Sequence, residues 1–106
     1  MTGTIWVHQA RPRPTWYELE GDRQAELRSE WVHLDKQATA NGAIWLGSYS
    51  IRGQSDYSTL ELWRFRTPDE AFNFWTKRIM AGYSTWFAFS NQLGVSTPLP
   101  AESNEP

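Results

Sequence analysis

Aromatic side chains are the feature that most constrains what this 106-residue chain can fold into. The sequence contains seven Trp, four Tyr and five Phe, and side chains of this size must be buried in a core or used at a binding surface. A chain of this length has room for one domain with one hydrophobic core. The aromatic content therefore predicts a bulky core with aromatic surface to spare for a ligand or a partner.

The composition excludes several functional classes. The chain has no Cys, which rules out disulfides, thiolate metal sites and cysteine nucleophiles. Its 10 basic and 12 acidic residues nearly balance, so no electrostatic footprint for nucleic acid is present. Two His without clustered carboxylates do not predict a metal site, and no glycine-rich phosphate loop predicts a nucleotide. We therefore expect no metal and no cofactor.

Neither end of the chain predicts a targeting or membrane segment. No apolar run approaches the ~18 to 20 residues of a membrane span. The segment from Met1 to Thr4 lacks the basic and apolar regions of a signal peptide, which favours a cytoplasmic protein without membrane contact. Residues 98–106 are polar and rich in proline, and predict a disordered tail after a single domain over residues 1–97.

Local patterns predict the order of helices and strands. An amphipathic stripe with spacings of four, three and four residues marks the first helix: Leu27, Trp31, Leu34 and Ala38. The second helix begins at an N-cap, Thr67, followed by Pro68 and by Glu70, which completes a capping box. Its predicted apolar stripe is Pro68, Phe72, Trp75 and Ile79.

Four segments between and around these helices have strand character, rich in β-branched and aromatic residues. They are residues 4–10, 43–51, 57–65 and 84–92, the second with an irregularity at Gly47, and the last with a short helix as the alternative. The resulting order β-α-β-β-α-β predicts an α+β, ferredoxin-like fold with two helices on one face of a four-stranded antiparallel sheet.

Alternation along the strands divides the side chains between the two faces of this sheet. The first set is aliphatic: Ile5, Val7, Ile44, Leu46, Leu60 and Leu62. The second set is aromatic and also includes two ionisable groups: Trp6, His8, Trp45, Tyr49, Glu61, Trp63 and Phe65. We expect the helices to cover the aliphatic face. The aromatic face would then be the interface of a homodimer with ligand cavities, because soluble monomers do not expose so much apolar surface.

Several segments resemble the dimeric α/β-barrel superfamily. They are the 61–65 strand running into the capped helix that begins Asp69-Glu70-Ala71-Phe72, the Gln9-Ala10-Arg11-Pro12 segment, Leu46-Gly47, and the closing stretch from Trp86 to Gly94. The last three are similar to those of an uncharacterised family of small bacterial proteins. Antibiotic-biosynthesis monooxygenases, haem-degrading enzymes, muconolactone isomerases, chlorite dismutases and stress-response proteins belong to the same superfamily.

The resemblance implies a homodimer that binds a small aromatic or polyketide-like molecule. As an enzyme it would be a monooxygenase or isomerase that needs no cofactor, with His8 or Glu61 taking a proton from the substrate. The expected ligand-binding side chains are Trp6, Arg11, Trp45, Tyr49, Trp63 and Phe65. Haem is disfavoured, because haem-degrading relatives use a histidine on the second helix and this helix has none.

Alternatives stay open for each candidate residue. His8 could be a hydrogen-bonded core histidine, Glu61 could form a salt bridge with Arg11 or Arg52, or the two could form a dyad in which the carboxylate orients the imidazole. The loop 52–56 could be a lid or an ordinary hairpin connection. In the alternative function, the protein is a non-catalytic binding or stress-associated protein whose aromatic sheet face serves only as the dimer interface.

Overall fold

The computed structural model describes residues 3–97. The elements in chain order are β1 (Thr4–Pro12), a short 3-10 helix (Pro14–Glu18), α1 (Gly21–Ala40), β2 (Ile44–Ser50), β3 (Thr59–Phe65), α2 (Pro68–Met80), α3 (Tyr83–Trp86) and β4 (Phe87–Val95). Within the described residues, no helix is long and apolar enough to cross a membrane. The tail predicted over residues 98–106 lies outside the described part of the chain.

The four strands form one antiparallel sheet in the order β2-β3-β1-β4. This confirms the predicted α+β architecture with the β-α-β-β-α-β order. The segment that could be strand or helix is both: α3 forms first, and β4 follows it directly. β4 pairs with β1 along nine residues and so forms one edge of the sheet.

Both predicted long helices are present, and α2 begins at its predicted N-cap. The Thr67 side chain accepts a hydrogen bond from the backbone N–H of Glu70, as the capping box requires. The Glu70 carboxylate, however, reaches the backbone N–H of Arg66 and not that of Thr67. On α1, the predicted stripe faces inward, with Leu27 and Trp31 buried.

The predicted stripe of α2 is correct at Trp75, which packs against the core, but wrong at Phe72. Phe72 is 65% exposed, whereas Ala71, Phe74 and Arg78 are buried, with Trp75 partly buried beside them. The prediction followed the largest apolar side chains and passed over a charged one. The stripe spaced by three and four residues that actually faces the sheet includes Arg78.

The predicted assignment of the two sheet faces is also wrong, because the helices cover the aromatic face. Trp6 and Trp63 are at most 2% exposed, and both rings contact Phe74 of α2. The inward residues of α2 include the small Ala71, so bulky rings from the sheet are needed to fill the space between helix and sheet. The aromatic face is therefore covered within the chain itself and is not available as the predicted interface between subunits.

The aliphatic side chains lie on the other face of the sheet, which no helix covers within the described residues. We refer to this surface as the open face, defined by the aliphatic residues Ile5, Val7, Ile44, Leu60 and Leu62. β2 changes register between Trp45 and Gly47, which confirms the predicted irregularity. Gly47 has φ of +153°, a backbone conformation that residues with a Cβ rarely adopt, which favours glycine at this bulge.

Candidate functional site

A buried ion cluster lies between the sheet and α2. The guanidinium of Arg78, 2% exposed, donates to both carboxylate oxygens of Glu61, from Nη1 to Oε2 at 3.1 Å and from Nη2 to Oε1 at 3.2 Å. Its Nη2 also donates to Oδ1 of Asp35 at 2.9 Å. The indole N–H of Trp63 donates to Oε1 of Glu61 at 3.0 Å. One cation is thus shared between carboxylates from β3 and α1 and ties both to α2.

Aromatic rings surround the Arg78 guanidinium. Its central carbon lies 5.4 Å from the ring centroid of Trp6, 5.0 Å from that of Phe74 and 5.1 Å from that of Tyr83. These distances are in the range of cation–π attraction, which strengthens where water is excluded. The aromatic core therefore accommodates the charge that the carboxylates neutralise.

The two carboxylates have opposite pKa shifts. Burial alone would raise the pKa of Glu61, but the charge of Arg78 and the hydrogen bonds from Arg78 and Trp63 outweigh it and leave that pKa below its ordinary value. Burial raises the pKa of Asp35, and the nearby charge of Glu61 adds to this effect, against the attraction of Arg78. Glu61 is accordingly the principal counterion of the guanidinium.

His8 lies beside this cluster and is held at both ring nitrogens. Nε2 is 2.7 Å from the hydroxyl of Tyr83, and Nδ1 is 2.6 Å from Oδ1 of Asn91. The imidazole is 1% exposed and stacks on the Trp6 ring at a centroid distance of 5.0 Å. Burial, with a smaller contribution from the charge of Arg78, lowers the pKa of His8 to about 4. The imidazole is therefore neutral at pH 7.

The hypothesised dyad of His8 and Glu61 does not form. The two residues face each other across the β1–β3 pairing, but the ring nitrogens bond to Tyr83 and Asn91 and the carboxylate bonds to Arg78 and Trp63. The alternative of a salt bridge between Glu61 and Arg11 or Arg52 is not found either. Arg11 points to the opposite face of the sheet, and Arg78 from α2 is closer at hand.

An apolar cleft opens between α2 and the edge strand β4, next to His8. Its volume is about 260 Å³. We refer to it as the β4 cleft, defined by its lining residues Trp6, Ala71, Phe72, Trp75, Asn91, Gln92 and Leu93. The indoles of Trp6 and Trp75 are 5.9 Å apart between centroids and form its aromatic wall. Asn91 belongs both to this lining and to the hydrogen bonds of His8.

The structure separates the six side chains expected to bind a ligand. Trp6 lines the β4 cleft, while Trp63 and Phe65 are buried in the core against Phe74. Trp45 pairs with Trp63 at the far edge of the sheet and is 54% exposed. Arg11 and Tyr49 lie on the opposite face, at the level of Ala88 on β4 and Leu60 on β3. The six therefore do not converge on one site.

Four residues that organise this region were missed from the sequence: Asp35, Arg78, Tyr83 and Asn91. Arg78 follows Phe74 by four residues and Trp75 by three, so its place on the inward stripe was readable. Asn91 alternates with Phe89 and Leu93, which marks it as facing the same way as two apolar residues. No comparable signal pointed to the pairing of Tyr83 with His8, which are 75 residues apart.

Comparison with known proteins shows similarity in three-dimensional structure but not in sequence. No protein-family model matches the chain, and neither does any curated protein sequence. Among solved structures, it is similar to a mutant chlorite dismutase from Candidatus Nitrospira defluvii, with a TM-score of 0.80 and 18% identity over 98% of this chain. For the same enzyme in complex with imidazole, the TM-score is 0.78 and the sequence identity is 17% over 97% of this chain. For a further mutant, in complex with cyanide, the TM-score is 0.77 and the sequence identity is 18% over 95% of this chain.

The chain has a ferredoxin-like α+β fold, which it shares with these structures. It spans less than half the length of those neighbours, 44%, 44% and 43% of their chains. At this level of identity the likeness concerns the fold alone. The closer similarities to the small bacterial family and to antibiotic-biosynthesis monooxygenases stay predictions.

The histidines of this chain do not fit a haem ligated in the β4 cleft. Both nitrogens of His8 already bond to protein side chains, and its imidazole is buried. His33, the second histidine of the chain, is exposed on α1, bonds to Gln37 and does not line the cleft. Within residues 3–97, no group of three or more His, Asp or Glu side chains is arranged to hold a metal ion.

Proposed function

We propose that this protein binds a small planar, largely apolar molecule in the β4 cleft. The observation that carries the proposal is the cleft itself, whose wall consists of two indole rings, a phenyl ring and the Leu93 side chain. Apolar pockets with a few placed polar groups are the usual form of small-molecule sites, and flat rings stack favourably on indole. A volume of about 260 Å³ suits a ligand of one or two fused rings.

Binding of indane, a bicyclic hydrocarbon, tests this function directly. Leu93→Glu places a carboxylate at the wall of the cleft and is expected to weaken indane binding about tenfold or more, because the charge would lose water when the ligand binds. Val95→Glu is the matched control, since Val95 is on the same strand and face, is exposed, and does not line the cleft. Saturation-transfer NMR with purified protein measures indane binding by both variants.

The proposal stands if wild-type protein and Val95→Glu bind indane with similar affinity and Leu93→Glu does not. It fails if the wild-type protein shows no saturation transfer to indane. It also fails if the two variants weaken binding equally, because the ligand would then occupy another surface.

We infer also that the protein forms a homodimer through the open face. This surface carries Val7 and Leu62 side by side at its centre, with further aliphatic side chains and Tyr49 around them. Apolar patches of this kind on soluble proteins mark interfaces.

Leu62→Glu is expected to convert this dimer to a monomer, because two carboxylates would meet in an apolar interface. Light scattering coupled to size exclusion should give twice 12.3 kDa for the wild-type protein and 12.3 kDa for the variant. Val32→Glu, which adds the same charge to an exposed position on α1, should stay dimeric. A monomeric wild-type protein would contradict the inference.

A catalytic role for His8 and Glu61 stays a prediction. Every nitrogen of His8 and every carboxylate oxygen of Glu61 already bonds to a protein group, so each would have to exchange a partner to take a substrate proton. In a cofactor-independent monooxygenase or isomerase reaction, His8 would act on a substrate in the cleft through Asn91, which lies between them. Binding alone requires no such exchange, and it is the function that the geometry supports best.

A further inference from the structure

A hydrogen-bonded chain of three side chains leads from the buried core to the β4 cleft. The Tyr83 hydroxyl contacts Nε2 of His8 at 2.7 Å, and Nδ1 of His8 contacts Oδ1 of Asn91 at 2.6 Å. Tyr83 and His8 are buried, whereas Asn91 lines the cleft. The end of the chain that a ligand can meet is therefore the carboxamide of Asn91.

The direction of these hydrogen bonds follows from which groups carry protons. The amide oxygen Oδ1 of Asn91 can only accept, so Nδ1 of the neutral His8 donates to it and Nε2 accepts from the Tyr83 hydroxyl, whose pKa is raised by burial. A neutral imidazole with an accepting Nε2 carries its proton on Nδ1. The Tyr83 hydroxyl thus holds the imidazole in the tautomer that keeps the Asn91 carboxamide oxygen turned toward His8.

With Oδ1 engaged by His8, the amide nitrogen of Asn91 keeps its two N–H donors for the cleft. The other polar groups of the aromatic wall are the indole N–H groups of Trp6 and Trp75, which can also only donate. Gln92 is exposed, and its register places its side chain toward the opposite face of the sheet. The inner part of the cleft therefore offers donors to a ligand but no side-chain acceptor.

We propose that Asn91, positioned by His8 and Tyr83, makes the β4 cleft selective for planar ligands with a hydrogen-bond acceptor such as a ring carbonyl. The inference rests on the proposed function and specifies its ligand class. A ligand without an acceptor leaves the amide donors unpaired when it displaces water, and a ligand that presents a donor meets like groups. Ring ketones and quinones have the required chemistry.

Three ligands of matched size test the selectivity on the wild-type protein: 1-indanone, indane and indole. Dissociation constants from ligand-observed NMR titrations are expected to show 1-indanone binding about tenfold more tightly than indane, a typical value for one added hydrogen bond. Indole, whose N–H donates, should bind no more tightly than indane. Equal binding of indane and 1-indanone overturns the selectivity but leaves the proposed function intact. Absence of binding by both overturns the proposed function and the inference with it.

Tyr83→Phe tests the positioning of Asn91. Without the phenol, the His8 proton is free to move to Nε2, and the Asn91 carboxamide can turn its oxygen into the cleft. The preference for 1-indanone over indane should fall severalfold, and indole binding should strengthen. Tyr57→Phe is the matched control, because it removes a hydroxyl that donates to the backbone carbonyl of Phe89 on the same strand. If both variants keep the wild-type selectivity, or both lose it equally, the positioning role is excluded.

Discussion

Replacement of Arg78 by leucine is expected to lower the free energy of unfolding by about 3 kcal/mol. The substitution leaves Glu61 and Asp35 as partly buried carboxylates without their counterion, on side chains that are only 23% and 34% exposed. It also removes the cation that the rings of Trp6, Phe74 and Tyr83 surround. Urea unfolding at a fixed protein concentration measures the loss.

Two further variants serve as comparisons for Arg78→Leu. Arg66→Leu removes an arginine from an exposed pair with Glu70, whose side chains are 67% and 36% exposed, and should cost no more than about 1 kcal/mol. Arg78→Lys keeps the charge but cannot donate to both oxygens of Glu61 in the same geometry. Its loss in the free energy of unfolding should lie between the losses of the two leucine variants. Equal losses for Arg66→Leu and Arg78→Leu would contradict the buried cluster.

Acidification is expected to destabilise the fold through His8. The folded pKa of His8 is about 4, against an ordinary value of 6.5, so the unfolded state binds a proton at a pH where the folded state does not. The stability that His8 contributes is complete above pH 6.5 and is lost as the pH falls toward 4. Between pH 7 and pH 5 the free energy of unfolding should fall by about 2 kcal/mol.

The carboxylates of the ion cluster contribute to the pH dependence as well. The lowered pKa of Glu61 causes a further loss of stability as the pH falls below the ordinary value of 4.5, while the raised pKa of Asp35 acts in the opposite direction. The part of the pH dependence that is lost on replacement of His8 therefore reports on His8.

Denaturant unfolding across this interval, repeated on two variants, identifies the residue responsible. His8→Gln should remove most of the pH dependence, at some cost in stability at pH 7. His33→Gln replaces an exposed imidazole on α1, and this variant should keep the pH dependence of the wild-type protein. A wild-type protein whose stability is the same at pH 7 and 5 would show that His8 is accessible to protonation.

The elements of this fold were predictable because their signals are local. The Thr67 cap, the α1 stripe and the alternation in β1 and β3 each depend on residues within one helix or strand. Gly47 was recognisable as an irregular position because a strand interior disfavours glycine. From these signals the order of the elements, and hence the ferredoxin-like topology, followed.

Alternation divided β1 and β3 correctly into two faces, but the register shift in β2 moved Tyr49 to the aliphatic face. Alternation also could not identify the face that the helices cover. That choice depends on the volume that the helices leave above the sheet. Small inward residues such as Ala71 leave room for the rings of Trp6 and Trp63, which pushes the aliphatic residues to the open face. Trp6 and Ala71 are 65 residues apart in the chain, and no local pattern relates their volumes.

The polar part of the site was likewise decided by the tertiary structure. The sequence by itself determined that His8 and Glu61 would share one face of the sheet, because their strands pair with this alternation. Their hydrogen-bond partners come from β3, α2, α3 and β4. A charged residue such as Arg78 is stable in the core only when carboxylates and rings from several elements meet around it. Such a cluster exists only once the chain has folded, since its stability comes from contacts between distant segments.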